Sequence, residues 1–366
     1  MKNIYLQFLE ESHINDPLAL ATIIGARDST PQIPGASALF SMEGLLTGTV
    51  GGGILEADTQ KRVFRALKER SSCIYEFDLK GDIVSKDEAI CGGEVMILVD
   101  AHPEKHINTF LSMQQSLVGR RPGILATTIG KEANGKVSIN RHWIEKTEHQ
   151  KRIAESFNHL TRDQLKKILR TNTPSLQEAE PKKYFENADE AWIFLEPMHP
   201  LPHLIIAGAG HIGQVVSHLG SLLDFEVTVI DDRPEFANKE KCPDADHIFV
   251  KEFGNTMGDA PISSDTYIVI VTRGHRKDAD ALRACIESEA AYIGMIGSDR
   301  KIALMRKKIL EEGWATPAQF DRVYAPIGID IQSKTVQEIA ISIAAQLVQV
   351  RHMKQKHETG TTWSGP

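Results

Sequence analysis

The 366-residue chain has 41% hydrophobic and 25% charged residues, a composition typical of a globular protein with two or three packed units. A net charge of −7 argues against a general nucleic-acid-binding protein, which normally has a basic face. No apolar run approaches the roughly 20 residues that cross a bilayer, and the N-terminal stretch MKNIYLQFLEESHINDP lacks the apolar core of a signal peptide. We therefore expect a cytoplasmic protein that binds neither nucleic acid nor membranes.

The first 130 residues predict a domain of mixed strands and helices. Apolar runs that are rich in β-branched residues and bounded by turn residues predict strands at 17–25, 36–42, 45–50, 73–79, 94–100 and 123–130. Apolar residues at helical spacing predict helices at about 54–70 and 103–118. We expect these elements to form an N-terminal α/β domain that covers residues 1–196.

Residues 131–190 carry a weaker pattern than the segments around them. Asn134-Gly135 predicts a hairpin turn, and residues 148–170 place charged and apolar residues at helical spacing. Most of this segment is polar and contains no motif. We expect it to elaborate or cover the N-terminal domain.

A proline-rich stretch separates this region from a second domain. The three prolines of residues 197–202 predict a stiff, extended linker. Across 203–355, apolar strands alternate with helical stretches, which predicts a doubly wound parallel sheet with helices on both faces. A capping box formed by Thr335 and Glu338 predicts the start of the last helix, and residues 356–366 are expected to be a disordered tail.

A GxGxxG motif opens the second domain. Gly208, Gly210 and Gly213 follow the strand LIIA and precede a helix, which is the context of a Rossmann-like nucleotide site. The next strand, VTVIDD, places Asp231 where a carboxylate holds the ribose hydroxyls. The sequence thus predicts binding of NAD(P) or another nucleotide; the alternative is that the glycines serve packing alone.

Polar residues follow other strands of the same domain, at the sheet edge where ligands bind. Arg273 and His275 follow the strand IVIV, and Gly297-Ser298 follows YIGMI. We expect Arg273 and His275 to contact phosphate, with Gly297 and Ser298 beside them and the Ser298 hydroxyl as a further donor. A solvated loop histidine is an equal alternative for His275. An NAD(P)-dependent oxidoreductase would use His275 as its acid–base group, but only the glycine motif supports that function.

Three consecutive glycines, Gly51, Gly52 and Gly53, precede the helix predicted at 54–70. Ordering them is costly, because glycine loses more backbone freedom on folding than other residues. At a helix start they predict an anion-binding loop. Ser29, Thr30 and Gln32 offer hydrogen-bonding groups before a Pro-Gly turn. The alternative is a tight strand-to-helix turn without a ligand.

Cysteine spacing supports neither a zinc site nor a disulfide framework, because none of the four cysteines belongs to a Cys-x-x-Cys pair. We expect Cys73 and Cys285 to pack as small apolar residues. Cys91 precedes Gly92-Gly93, which would give steric access and backbone N–H groups that lower its pKa. The alternative for Cys91 is a small residue at the start of a strand.

Several separate blocks, in this order, resemble the XdhC/CoxI family: residues 19–57, Cys91-Gly-Gly93, GAGHIG, YIGMIGS and APIGIDI. The resemblance covers about 20–100 and 200–350 and leaves 131–190 outside. It implies an accessory factor for molybdenum hydroxylases such as xanthine dehydrogenase. Such a factor binds molybdopterin cofactor and hands it to the apo-enzyme, after sulfuration with a cysteine desulfurase as sulfur donor.

The resemblance also suggests roles for individual residues. The loop at residues 51–53 would hold the pterin phosphate, residues 29–32 would contact the heterocycle, and Cys91 would ligate molybdenum or carry sulfur. Relatives place a histidine directly after the threonine that corresponds to Thr272, whereas Arg273-Gly274 intervene here, so the role of His275 stays open. We expect a homodimer with the pterin site near its interface. A pure interaction scaffold, with both glycine loops vestigial, is the remaining alternative.

Overall fold

The computed structural model describes residues 3–12, 17–79, 92–145, 161–252 and 262–359. The chain divides into two compact units, residues 1–200 and 201–366. This boundary lies within the proline-rich stretch of the sequence.

Five of the described strands in the first unit form an antiparallel sheet of order β3-β2-β1-β5-β4. They are β1 (Ala19–Arg27), β2 (Ser37–Ser41), β3 (Gly44–Gly48), β4 (Cys73–Asp78) and β5 (Glu94–Asp100). The central strand β1 is apolar on both faces. Ala19, Ala21 and Ile23 pack in one core cluster, and Leu20 packs in another on the opposite face.

Four further strands of the first unit form a second antiparallel sheet, of order β7-β6-β9-β8. They are β6 (Gly123–Lys131), β7 (Val137–Glu145), β8 (Ser175–Glu178) and β9 (Glu190–Met198). The predicted turn at Asn134-Gly135 is confirmed: it joins β6 to β7, and Gly135 has a φ of +85°. Residues 131–190 therefore supply two strands of a sheet, which the sequence pattern did not predict.

Helices pack against these two sheets. The described helices of the unit are α1 (Ile4–Glu11), α2 (Gly53–Glu69), α3 (Ile107–Val118), α4 (Arg162–Thr171) and the single turn α5 (Pro181–Tyr184), with a 3₁₀ turn at Pro103–His106. Leu55 and Val63 of α2 pack on the first sheet, and Leu165 of α4 packs on the second. Ile24 and Phe194 belong to a cluster between the sheets. The part of the predicted helix at 148–160 lies outside the described residues.

The second unit contains a parallel sheet of order β12-β11-β10-β13-β14. Its strands are β10 (His203–Ala207), β11 (Glu226–Asp231), β12 (His247–Val250), β13 (Thr266–Ile270) and β14 (Tyr292–Met295). The strand order reverses between β10 and β13, which creates the switch point at which such sheets bind ligands. This topology confirms the predicted Rossmann-like doubly wound fold.

Helices pack on both faces of the parallel sheet, as predicted. They are α6 (His211–Leu222), α7 (His275–Cys285), α8 (Asp299–Glu311), α9 (Pro317–Asp321) and α10 (Val336–Thr359). Leu204 and Ile206 of β10 share a cluster with α6 and α10. Ile205 and Ala207 share the opposite cluster with α7 and α8. The alternation along β10 therefore buries both faces of the strand.

The last helix begins at the predicted capping box. The Glu338 N–H donates to Thr335 Oγ1 over 3.3 Å, and the Thr335 N–H donates to Glu338 Oε2 over 2.8 Å. Helix α10 continues to Thr359, so it includes the start of the tail expected to be disordered; residues 360–366 lie outside the described part. Within the described residues, no helix has both the length and the hydropathy needed to span a bilayer.

Candidate functional site

The three consecutive glycines of the first unit form a turn of unusual backbone geometry. Gly51, Gly52 and Gly53 have φ angles of +125°, +68° and +54°, in the region that residues with a Cβ rarely adopt. Gly52 is the N-cap of α2, and no side chain caps this helix end. The first N–H groups of α2 therefore lack both an intrahelical acceptor and a capping side chain.

The space around this turn differs from one glycine to the next. A Cβ at Gly51 would lie 3.0 Å from Pro31 Cγ, so the turn packs against the segment between Thr30 and Gln32. A Cβ at Gly52 or Gly53 would meet no atom within 4 Å. The helix start is consequently open on the side where a ligand would approach the backbone.

A threonine that the sequence pattern alone did not single out holds the turn in place. Thr49 Oγ1 accepts the Gly51 N–H over 3.0 Å and donates to Glu56 Oε2 over 2.8 Å. Glu56 therefore supports the turn through Thr49, whereas α2 has no side-chain cap. The signal was present in the sequence, because a threonine two residues before a glycine turn can accept a hydrogen bond from the backbone two residues on.

The loop that contains Ser29, Thr30 and Gln32 lies beside the turn. Thr30 Oγ1 donates to the carbonyl of Gln32 over 2.7 Å, so this hydroxyl is engaged within the loop. A Cβ at Gly93 would lie 2.7 Å from the Ser29 carbonyl oxygen, which shows that the segment before β5 packs closely on this loop. Cys91, the candidate thiol and molybdenum ligand, lies outside the described residues.

In the second unit, the structure gives a separate reason for the glycine at each position of the GxGxxG motif. Gly208 has a φ of +114°, and a Cβ there would lie 2.5 Å from the Val271 carbonyl oxygen. A Cβ at Gly213 would lie 1.9 Å from the Gly208 carbonyl oxygen, so only glycine lets α6 approach the turn. At Gly210, by contrast, a Cβ would meet no atom within 4 Å. The backbone at Gly210 is therefore open to a ligand, as the motif predicts.

Asp231 lies at the predicted strand end, but its carboxylate is already fully engaged. It accepts the Ala209 N–H over 2.8 Å, and Arg233 donates to it from Nε and Nη2 over 2.8 and 2.9 Å. Burial raises the pKa of Asp231, but the hydrogen bonds from Arg233 and from Ala209 outweigh burial and hold the pKa below its usual value. In this structure Asp231 therefore ties the glycine loop to β11, and ribose hydroxyls would compete with these donors.

The switch-point crevice, lined by Gly208, Asp231, Asp232, Arg273 and Lys277, lies beside the motif. Asp232 accepts from Lys277 and, over 3.1 Å, from Arg273. The bond from Lys277 is the main cause that lowers the pKa of Asp232. These ion pairs leave a volume of about 30 Å³, room for only about one water molecule.

The four residues predicted at the other strand ends, three of them polar, do not form one site. Arg273 lines the switch-point crevice, whereas His275 and Ser298 line a separate groove between α7 and α8. Ser298 Oγ accepts the Lys301 N–H over 3.4 Å as the N-cap of α8. A Cβ at Gly297 would lie 2.8 Å from Ile302 Cδ1, so this glycine serves close packing.

The cysteines of the described part of the chain have raised pKa values, and its potential metal ligands do not form a cluster. Burial raises the pKa of Cys285 to about 12, and it also raises the pKa of Cys73 and Cys242. Cys285 is buried in a core cluster of the second unit, and Cys73 packs half-buried against a core cluster of the first unit. Both therefore have the expected packing role. Among the described residues, no group of three or more His, Cys, Asp or Glu side chains is placed to hold a metal ion.

Comparison with known proteins identifies the family. The family model described as the XdhC Rossmann domain matches residues 204–347, and that described as the XdhC and CoxI family matches residues 13–78. The chain belongs to the XdhC/CoxI family. A second finding concerns the fold: a crystal structure of a xanthine dehydrogenase from Bacillus halodurans aligns with a TM-score of 0.72 and 23% identity, over 99% of this chain and 98% of that chain.

Curated relatives of this XdhC/CoxI protein differ in length. The uncharacterized protein YqeB of Escherichia coli is 24% identical over 98% of this chain, which spans 49% of that relative. A probable xanthine dehydrogenase subunit of Bacillus subtilis is 24% identical over 91% of this chain and 92% of its own length. The molybdenum cofactor insertion chaperone PaoD of Escherichia coli is 28% identical over 29% of this chain and 32% of its own length.

Proposed function

We propose that this XdhC/CoxI protein is an accessory factor that binds molybdopterin cofactor and delivers it to a xanthine dehydrogenase-type molybdenum hydroxylase. The observation that carries the proposal is the open, uncapped start of α2 at Gly52 and Gly53. The names of two relatives, an insertion chaperone and a probable dehydrogenase subunit, support the same role.

The chemistry of the glycine turn fits the phosphate of the pterin. Backbone N–H groups at a helix start donate hydrogen bonds to an anion, and the helix dipole favours the negative charge. A phosphate oxygen needs to approach the backbone closely, and Gly52 and Gly53 leave the required space. Thr49 and Pro31 fix the turn from the other side, so the donors are held in place before the ligand binds.

For the molybdenum end of the cofactor, we propose Cys91 as the thiol that ligates the metal or carries sulfur. Thiolates are soft ligands that suit such a metal, and Cys91 lies two residues before Gly93 in the sequence. Gly93 packs against the loop of Ser29 and Thr30, beside the glycine turn. We also propose a cysteine desulfurase as sulfur donor and a homodimer as the functional assembly.

Exposed apolar side chains flank the proposed cofactor site. Ile33 is 71% exposed and follows Gln32, and Ile54 is 38% exposed and follows Gly53. Large apolar side chains that remain exposed next to a polar site are common where a protein partner docks. We propose that the apo-hydroxylase contacts this rim when it receives the cofactor.

We further propose that the second unit binds a nucleotide through its GxGxxG motif. The open backbone at Gly210 and the position at the switch point support this proposal. A nucleotide would have to separate Asp232 from Lys277, because the crevice is closed by that ion pair. Titration calorimetry with NAD⁺, NADP⁺ and nucleoside triphosphates tests it: Gly210→Val should abolish binding, and equal binding by parent and variant would contradict the proposal.

The cofactor site is tested by anaerobic titration with molybdopterin cofactor, scored by co-elution in gel filtration. Gly52→Val and Cys91→Ala are compared with Gly135→Val, a matched control. Gly135 has a positive φ, and a Cβ there would also meet no atom within 4 Å, but it lies in the distant β6–β7 turn. The two glycine variants should therefore carry similar backbone strain, about 1–2 kcal/mol.

The proposal predicts stoichiometric binding by the parent protein and by Gly135→Val. Binding by Gly52→Val should weaken at least about tenfold, because a side chain would block the phosphate from the backbone donors. Equal binding by Gly52→Val and Gly135→Val, or no binding by the folded parent, would contradict the assignment of the site.

A further inference from the structure

The groove between α7 and α8 is a second concave site in the C-terminal unit. It has a volume of about 720 Å³, within the range of about 300–1,000 Å³ typical of small-molecule sites. It lies next to the ends of β13 and β14, between the starts of the two helices that follow these strands. Its position is therefore at the ligand-binding edge of the sheet.

The side chains that line this α7–α8 groove are strongly cationic. Arg276, Arg300, Lys301 and Lys308 line it, and no carboxylate is among the lining residues that the structure describes. Within that described part, neither Arg276 nor Arg300 has an ion-pair partner. Because like charges gathered in a concavity repel one another, an anion that enters would relieve this repulsion.

One cation of the groove is held in a fixed position by buried groups. Lys301 Nζ donates to Asp278 Oδ2 over 2.6 Å and to the Ile296 carbonyl over 3.2 Å. Asp278 is fully buried and also accepts from the Thr272 hydroxyl over 2.6 Å. Since Asp278 offsets the charge of Lys301 and Glu312 lies 4.0 Å from Lys308 Nζ, the charge left for a ligand comes mainly from Arg276 and Arg300.

The remaining walls of the groove suit the organic part of a ligand. Leu304 is 62% exposed and Met305 lies beside it, both on α8. On the α7 side, a Cβ at Gly274 would meet no atom within 4 Å, so the backbone there is accessible. Apolar surface beside a few convergent charged groups is the usual make-up of a site for an organic anion.

The α7–α8 groove and the switch-point crevice share no lining residue. Arg273 and Lys277 line the crevice, where both pair with Asp232. Gly274, His275 and Arg276 line the groove. The first turn of α7 thus contributes cations to two separate sites.

We propose that the α7–α8 groove binds a small phosphorylated molecule, with Arg276 and Arg300 as the principal phosphate contacts and Leu304 against its organic part. This site is distinct from the glycine turn of the first unit and from the GxGxxG motif. The proposal for this groove can therefore be tested independently of the proposed cofactor delivery.

The test is titration calorimetry of the full-length protein with inorganic pyrophosphate, a probe that has the phosphate groups common to small phosphorylated molecules. The parent protein is compared with the double variant Arg276→Ala/Arg300→Ala and with the crevice variant Lys277→Ala. Lys307→Ala is the matched control, because Lys307 lies on α8 like Arg300, pairs with Glu311 and does not line the groove. A parallel titration uses a short polyglutamate peptide.

We expect pyrophosphate binding that weakens with added salt and falls about tenfold or more in the double variant. Lys307→Ala should bind like the parent, whereas Lys277→Ala reports whether pyrophosphate binds in the switch-point crevice instead. Pyrophosphate should also protect Arg300 from modification by phenylglyoxal, mapped by mass spectrometry. No binding by the parent, a loss confined to Lys277→Ala, or binding of polyglutamate without binding of pyrophosphate would overturn the proposal.

Discussion

A buried cluster of ionisable groups makes the stability of the first unit depend on pH. Tyr5, Asp100, Arg141 and Glu196 are all buried between the two sheets. Arg141 pairs with Asp100, and Tyr5 Oη donates to Glu196 Oε2 over 2.7 Å. His106 lies nearby, and burial together with the charge of Arg141 lowers its pKa to about 4, so it is neutral at physiological pH. One cation therefore faces two carboxyl groups.

This arrangement leaves Glu196 without a full counter-charge. Burial raises its pKa from 4.5 to about 7, although the Tyr5 hydroxyl and the Arg141 charge both act to lower it. Because the folded state holds this proton more tightly than the unfolded state, the contribution of Glu196 to stability should fall as pH rises from about 4.5 to about 7. His106, whose pKa is lowered in the folded state, acts in the opposite direction up to its usual pKa of 6.5, so the Glu196 contribution is isolated by comparing the parent with a Glu196 variant. The change in the free energy of unfolding from Glu196 is about 3 kcal/mol.

Glu196→Gln removes the titration while keeping the side-chain shape and the acceptor for Tyr5. Above pH 7 we expect the variant to be more stable than the parent, and the difference between their free energies of unfolding should shift by about 3 kcal/mol in favour of the variant between pH 4.5 and pH 7. Glu190→Gln is the control, because Glu190 lies on the same strand but is exposed and pairs with Lys131. Its effect should stay within about 0.5 kcal/mol at every pH.

Urea unfolding at pH values from 5 to 8 measures this difference. Tryptophans of the C-terminal unit are replaced by phenylalanine, so that fluorescence reports on Trp143 and Trp192 of the first unit. A Glu196→Gln variant whose curve of stability against pH runs parallel to that of the parent would refute the electrostatic argument.

Two further predictions concern the second unit. Gly213→Ala would place a methyl group 1.9 Å from the Gly208 carbonyl oxygen and should cost about 3 kcal/mol or more, whereas Gly210→Ala, with no atom within 4 Å, should cost under about 1 kcal/mol. Thermal unfolding compares them, and equal melting temperatures would be inconsistent with this packing. Asp278→Asn leaves Lys301 without its buried counter-charge and should cost about 3 kcal/mol in urea unfolding; an unchanged midpoint would argue against it.

The fold of the second unit could be predicted because its signals are local. Among the described elements, strands β10, β13 and β14 are each followed within a few residues by a helix, and the glycine motif marks the first such turn. The ion pair of Asp231 could also have been predicted from the sequence, since its partner Arg233 lies only two residues further on. The placement of Arg273 and His275 in two different sites could not have been predicted, because it depends on α7 beginning at His275.

Long-range pairing accounts for most of what the sequence did not reveal in the first unit. Strand β7 carries Arg141, whose buried partner Asp100 lies on the other sheet, and no pattern within β7 indicates that contact. The polar composition of 131–190 suggested a covering segment, whereas its strands complete a sheet through pairing with β6 and β9. The glycine turn was correctly placed at a helix start, since that signal is local. The role of Cys91 stays a prediction.

The most direct measurement of the central claim is cofactor transfer to an apo-hydroxylase in the presence of excess cofactor-free competitor protein. Cofactor pre-bound to the parent protein should reconstitute the hydroxylase faster than the same amount of free cofactor. Ile33→Ser, which alters the exposed rim, should retain cofactor binding but slow the transfer. Reconstitution at the same rate from free and from pre-bound cofactor would contradict delivery by this protein.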